Sequence, residues 1–105
     1  MSVTFQLAGG SKTVLETFTL STFSPYLGQT FRLALDSSRR LEVELIEATG
    51  VGEGRPFSLV FRGPKDLRLP QRIYPFEHDR LGAFDLFIVP IGLDEHGLRY
   101  EAVFN

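Results

Sequence analysis

The chain contains no cysteine and no tryptophan. Without cysteine there are no disulfides, no thiolate metal ligands and no cysteine nucleophile. No apolar run approaches the ~18 residues of a membrane-spanning helix. The opening Met1-Ser2-Val3-Thr4-Phe5-Gln6 lacks the basic and apolar regions of a signal peptide, so the expectation is a cytoplasmic protein. No Gly-x-Ser-x-Gly elbow surrounds any serine, and nothing else in the chain reads as catalytic machinery; the expectation is a protein that is not an enzyme and holds no cofactor. Neither charge sign dominates: 11 Lys and Arg face 13 Asp and Glu, a net charge of −2, which weighs against nucleic acid as a partner.

What is present is a chain of 105 residues, enough for one domain with a real core. It is 43% hydrophobic, and its aromatics are 10 Phe and 3 Tyr. Such a composition opposes disorder and suits sheets, where aromatics pack across strands.

Period-two alternation recurs along the chain, the mark of half-buried strands. Val3, Phe5 and Leu7 alternate with polar residues. Val14 to Leu20 fits either a strand or a helix. Ser21 is placed to cap a short helix reaching Leu27, with Gly28 as its stop. Phe31, Leu33 and Leu35, then Leu41, Val43 and Leu45, read as a hairpin across the polar turn Asp36–Arg39. Thr49 to Gly54 reads as a glycine-rich loop, and Phe57, Leu59 and Phe61 as the next inward row. Pro75 places the segment Ile73–His78 at an edge or a bulge. Ala83 to Val89 reads as a strand ended by Pro90, Gly92 to Gly97 as a loop, and Tyr100, Ala102 and Phe104 as the last inward row. The expected core includes Phe57, Phe61, Phe84, Leu86, Ile88 and Phe104.

The expected fold is therefore all-β: a small antiparallel barrel or sandwich of six to seven strands, with one short helix near residues 21–28. Residues 1–105 form one domain, with 1–20 as an N-terminal strand or arm. Val60, Phe87, Val89 and Val103 are apolar on the second face of their strands, where a sheet facing water is polar. They mark either doubly covered strands or a surface that meets a partner.

Four stretches stand out together: Leu27–Phe31 (LGQTF), Phe57–Pro64 (FSLVFRGP), Leu86–Gly92 (LFIVPIG) and Tyr100–Asn105 (YEAVFN). The set resembles a bacterial family known only as a domain of unknown function, from about Leu20 to the C-terminus. That resemblance implies a structural or accessory role beside phage-tail-collar or tail-fibre-like proteins. It brings no catalytic residues with it.

Among candidate sites, Glu77-His78-Asp79 and Asp94-Glu95-His96 each pair an imidazole with carboxylates. If His78, Asp79, Asp94 and His96 met, they would suit Zn²⁺ or a similar ion; as polar turns they need no metal. Gly50-Val51-Gly52-Glu53-Gly54 lacks the following helix that a phosphate loop requires. The basic segment Arg55, Arg62, Lys65, Arg68 and Arg72 fits a nucleic-acid-binding barrel face, a solvated face or a charge-complementary protein contact. For a protein partner or a second copy of the chain, the candidate contacts are Val3, Phe5, Leu7, Arg62, Arg68 and Arg72, acting by strand addition or by face packing.

Overall fold

The computed structural model describes residues 18–105. The expected strand Val3–Leu7 and most of Val14–Leu20 lie outside them. The described chain is a closed antiparallel barrel in the order β1-β2-β3-β6-β5-β4. The strands are β1 (Thr30–Ala34), β2 (Arg40–Gly50), β3 (Phe57–Gly63), β4 (Arg72–His78), β5 (Gly82–Asp94) and β6 (Gly97–Phe104). Two three-stranded meanders are joined through β3 and β6, and the barrel closes where β1 meets β4.

Closure explains the inward rows. Phe31 and Leu33, Val43 and Leu45, Leu59 and Phe61, Tyr74 and Phe76, Leu86 and Ile88, and Tyr100 and Ala102 are all buried. Every strand of a barrel has one face inside, so alternation is enforced around the whole ring. Of the expected core, Phe104 alone is only partly buried; its ring stacks on Phe57 at 4.4 Å.

Each end of the barrel has a plug. The lower end, where β3 and β5 begin, is filled by helix α1 (Leu20–Phe23) and a following 3₁₀ turn, Ser24–Tyr26. Phe23 is fully buried, with its ring 5.0–6.2 Å from those of Phe18, Phe57, Phe84 and Phe104. The cap lies two residues before the expected Ser21: Thr19 is the N-cap, and the Thr19 N–H donates to Thr22 Oγ1 at 2.9 Å. Gly28 does end the turn, at φ +84°, where other residues are strained.

At the upper end, the connection Pro64–Gln71 crosses from β3 to β4. Buried Leu69 fills this mouth, and two tyrosines hold the crossing. Tyr100 Oη accepts from the Leu69 N–H at 3.0 Å and donates to the Leu67 carbonyl at 3.3 Å. Tyr74 donates to the Pro70 carbonyl at 2.8 Å. A buried phenol needs such partners, which is why the strand-facing tyrosines also organise the loop.

Several boundaries differ from the sequence reading. β2 runs on to Gly50, past a register shift between Leu45 and Glu47 that leaves Ile46 as an extra residue. Pro90 does not end β5, which continues to Asp94; the register against β6 shifts between Pro90 and Gly92. A bulge tolerates proline because its ladder is already interrupted. The expected loop Gly92–Gly97 shrinks to the turn at Glu95 and His96. Pro75 lies where the seam opens: β1 and β4 pair only at Arg32 with Glu77 and Leu33 with Phe76, so the ladder stops one residue short of the proline.

Candidate functional site

His78 closes β4 at the lower end and is 3% exposed. Its Nδ1 accepts from the Arg80 N–H at 3.1 Å and the Leu81 N–H at 3.3 Å. An Nδ1 that accepts carries no proton, so Nε2 carries it and donates to Gln29 Oε1 at 2.9 Å. The ring lies 4.4 Å from Phe31 and 4.7 Å from Tyr26. Burial holds its pKa below the ordinary histidine value; Asp79 pulls it up, and Arg32 and Arg80 push it down. This imidazole is a turn lock with both nitrogens engaged.

His96 sits at the other end of the molecule. β5 separates the two loops by thirteen residues, Gly82–Asp94, which at about 3.3 Å per residue is on the order of 40 Å of strand. His78 and Asp79 therefore never meet Asp94 and His96. Among the described residues no group of three or more His, Cys, Asp or Glu is placed to hold a metal ion. Asp79 instead accepts from Arg32 at 3.0 Å, and Asp94 Oδ1 accepts from the His96 and Gly97 N–H groups at 2.8 and 3.0 Å. Those hydrogen bonds, led by the His96 N–H, lower the Asp94 pKa.

The basic segment is dispersed rather than gathered. Arg55 lies in the lower β2–β3 loop, Lys65 and Arg68 in the upper crossing, and Arg72 over the Tyr74 ring at 4.9 Å. Arg62 stands on the outer wall, directly opposite Arg99 in register. Two like charges so placed repel, and carboxylates separate them. Arg62 reaches Asp94 at 3.2 Å and Glu44 at 4.0 Å, while Arg99 reaches Asp94 at 3.9 Å and Glu47 at 4.0 Å. Arg62 and Arg99 each bury an Nε without a hydrogen-bond partner. Arg62 is thus committed to its own wall, whereas Arg68 and Arg72 remain exposed. The glycine loop Gly50–Gly54 is mostly exposed, and the Ser21 and Thr19 hydroxyls lower the Glu53 pKa.

The arrangement that stands out is apolar. On β4, β5 and β6 the outward positions carry Ile73, Phe87, Val89 and Val103. Ile73 pairs directly with Phe87, and Val89 with Glu101, two residues from Val103. Ile73 is 49% and Val103 46% exposed, with Phe87 and Val89 half-buried. Asp85 lies below them, its pKa raised by burial. Val60, grouped with these by sequence, is 5% exposed and belongs to the covered part of the wall. Ile73 was missed as an outer-face residue, although its alternation with Tyr74 and Phe76 carried the signal. Such a surface has no reacting group; what it offers is contact area.

Among the described residues no helix is long and apolar enough to cross a membrane. No curated protein and no solved structure matches the chain. A family model, Domain of unknown function (DUF6916), matches residues 18–104, the barrel together with its helical plug, and the chain belongs to that family.

Proposed function

We propose that this protein is a non-enzymatic structural or interaction domain that docks a protein partner on the outer face of β4, β5 and β6. The observation that carries the reading is the outward apolar row of Ile73, Phe87, Val89 and Val103, with Ile73 and Val103 exposed, on a barrel whose β1–β2 wall carries Arg32, Glu42 and Glu44. Face packing is favoured over strand addition for a physical reason. A closed barrel leaves no full edge to extend. The stretch of β4 left unpaired beyond the seam carries Pro75, which has no N–H to offer an added strand. In its finer form the reading is a cytoplasmic accessory of a phage-tail-like assembly in a bacterium, as the family resemblance implies.

The test is comparative capture from host lysate. Three baits are immobilised: the natural chain, the double variant Ile73→Asp with Val103→Asp, and Glu42→Lys on the opposite wall. The expected result is one or more proteins held by the natural chain and by Glu42→Lys but lost from the double variant, with all three baits folded by thermal melting. Tail or fibre components among them support the finer form. Equal recovery by all three baits, or recovery by none, removes the reading.

A further inference from the structure

We propose that the partner docking on this face is basic: it presents an extended segment with a cationic side chain on either side of an apolar one, and Asp85 and Glu101 receive the two cations. The inference rests on the preceding reading, that a protein docks on β4, β5 and β6, and adds the chemistry of that protein.

The two carboxylates flank the apolar row. Asp85 stands two positions before Phe87 on β5, opposite Pro75 of β4 in register. Glu101 stands two positions before Val103 on β6, between Val89 of β5 and Val60 of β3. Both lie on the outer face, both are half-buried, and their neighbours in register are apolar. Among the described residues neither forms an ion pair, although the chain pairs its other wall carboxylates carefully. Arg32 answers Glu77 and Asp79, while Arg62 and Arg99 answer Glu44, Glu47 and Asp94. Glu42 and Asp66 also lack a cation, but they are exposed, where water serves a carboxylate. Burial alone raises the Asp85 pKa, as for a carboxylate that has lost water without gaining a donor. Outside the described residues the sequence offers one basic side chain, Lys12, fewer than the two carboxylates.

A partner that covers the apolar row must remove the remaining water from Asp85 and Glu101. That is costly unless the partner brings opposite charge to both. Two copies of this chain laid face to face do not. The one cation at an outward position of these three strands is Arg99, already held by Glu47 and Asp94, so like charge would meet like. The spacing sets the form of the partner. Four residues of β5 separate Asp85 from Val89, the register mate of Glu101; with one step between strands the carboxylates stand roughly 14 Å apart. In an extended segment, side chains at i and i+4 share one side over about 13 Å, with i+2 between them. Basic residues at i and i+4 and an apolar residue at i+2 therefore match Asp85, the Phe87–Val103 contact and Glu101.

Peptide titration tests the charge separately from the docking. Three capped peptides are added to isotope-labelled protein while backbone amide shifts are followed. Their centres are Arg-Ser-Leu-Ser-Arg, Glu-Ser-Leu-Ser-Glu and Arg-Ser-Ser-Ser-Arg. The first is expected to move amides of β4, β5 and β6 at about millimolar concentration, and the other two to bind at least about tenfold more weakly. Asp85→Asn with Glu101→Gln should weaken the first peptide about tenfold; Glu42→Gln, an exposed carboxylate on the opposite wall, should leave it unchanged. Melting checks that every variant is folded. The proposal is overturned if the acidic peptide binds as well as the basic one, if the double variant binds like the natural chain, or if no peptide moves these amides. Shifts at the same amides that grow with protein concentration, in the absence of peptide, also overturn it and assign the face to a second copy. If basic and acidic peptides bind alike and Ile73→Asp with Val103→Asp abolishes both, docking stands and the basic partner falls. If the basic peptide binds through Asp85 and Glu101 but the face variants capture the same host proteins as the natural chain, the cation pairing stands and the docking reading falls.

Discussion

Replacing His78 separates a structural role from a ligand role. His78→Ala removes the acceptor of the Arg80 and Leu81 N–H groups and the donor to Gln29, and it empties the space between Phe31 and Tyr26. The two amides lie in a turn that water reaches, so their loss together costs about 1–2 kcal/mol. The buried ring adds about 2 kcal/mol. The expected loss is about 3–4 kcal/mol, which for a domain of this size lowers Tm by roughly 15–25 °C. His78→Asn should lose only about 2 kcal/mol, because an asparagine oxygen accepts from a backbone N–H two residues on. The same geometry sets a pH dependence. Protonating Nδ1 would point a donor at two donors, and burial already holds the folded pKa down. A depressed histidine pKa means that the unfolded chain takes up the proton first. The His78 contribution is therefore full above the unfolded value of about 6.5. It is lost as pH falls from there towards the folded value, at up to about 1.4 kcal/mol per pH unit. Urea melts of the natural chain and both variants at pH 5.5, 6.5 and 7.5 measure all of this. A loss below about 1 kcal/mol for His78→Ala, or the same pH slope in His78→Asn as in the natural chain, would refute the argument. Zinc added to the natural chain should leave the midpoint where it was.

Other positions test the rest of the fold. Gly97→Ala should be strongly destabilising, by about 2–4 kcal/mol, since a Cβ there would run into the Gly63 carbonyl oxygen and φ is +153°; a midpoint unchanged in a urea melt would show that β6 can shift away. Tyr100→Phe leaves the Leu69 N–H without its acceptor at the upper mouth, an expected loss of about 1–3 kcal/mol; a loss under 0.5 kcal/mol, roughly the noise of surface substitutions, would mean water replaces the phenol. Arg62→Met should change stability by less than about 1 kcal/mol, because its ion pairs are on the outer wall. A larger loss, measured the same way and abolished by high salt, would mean that the wall charges act as one network.

The strands themselves were legible because a barrel wall enforces period two. Phe31 and Leu33, Val43 and Leu45, and Tyr100 and Ala102 announce their inward face in sequence. Gly28 and the turn at Asp36 were legible for the same kind of reason: each acts on its near neighbours, and Asp36 Oδ1 accepts from the Ser38 and Arg39 N–H groups at 2.9 Å, which holds its pKa at about 2. Composition alone removed thiol chemistry, and alternation alone raised the question of an outer apolar face. Whatever depends on which strand lies beside which required the tertiary structure. The passage of β5 through Pro90 is visible only once β6 shows where the bulge falls. The metal candidates separated because His78 and His96 stand at opposite ends of one strand, whereas Ile73 joined Phe87 because the ladder puts them side by side. Local patterns report how a residue meets its own strand, and a site is made by residues distant in the chain whose meeting is set by register and closure.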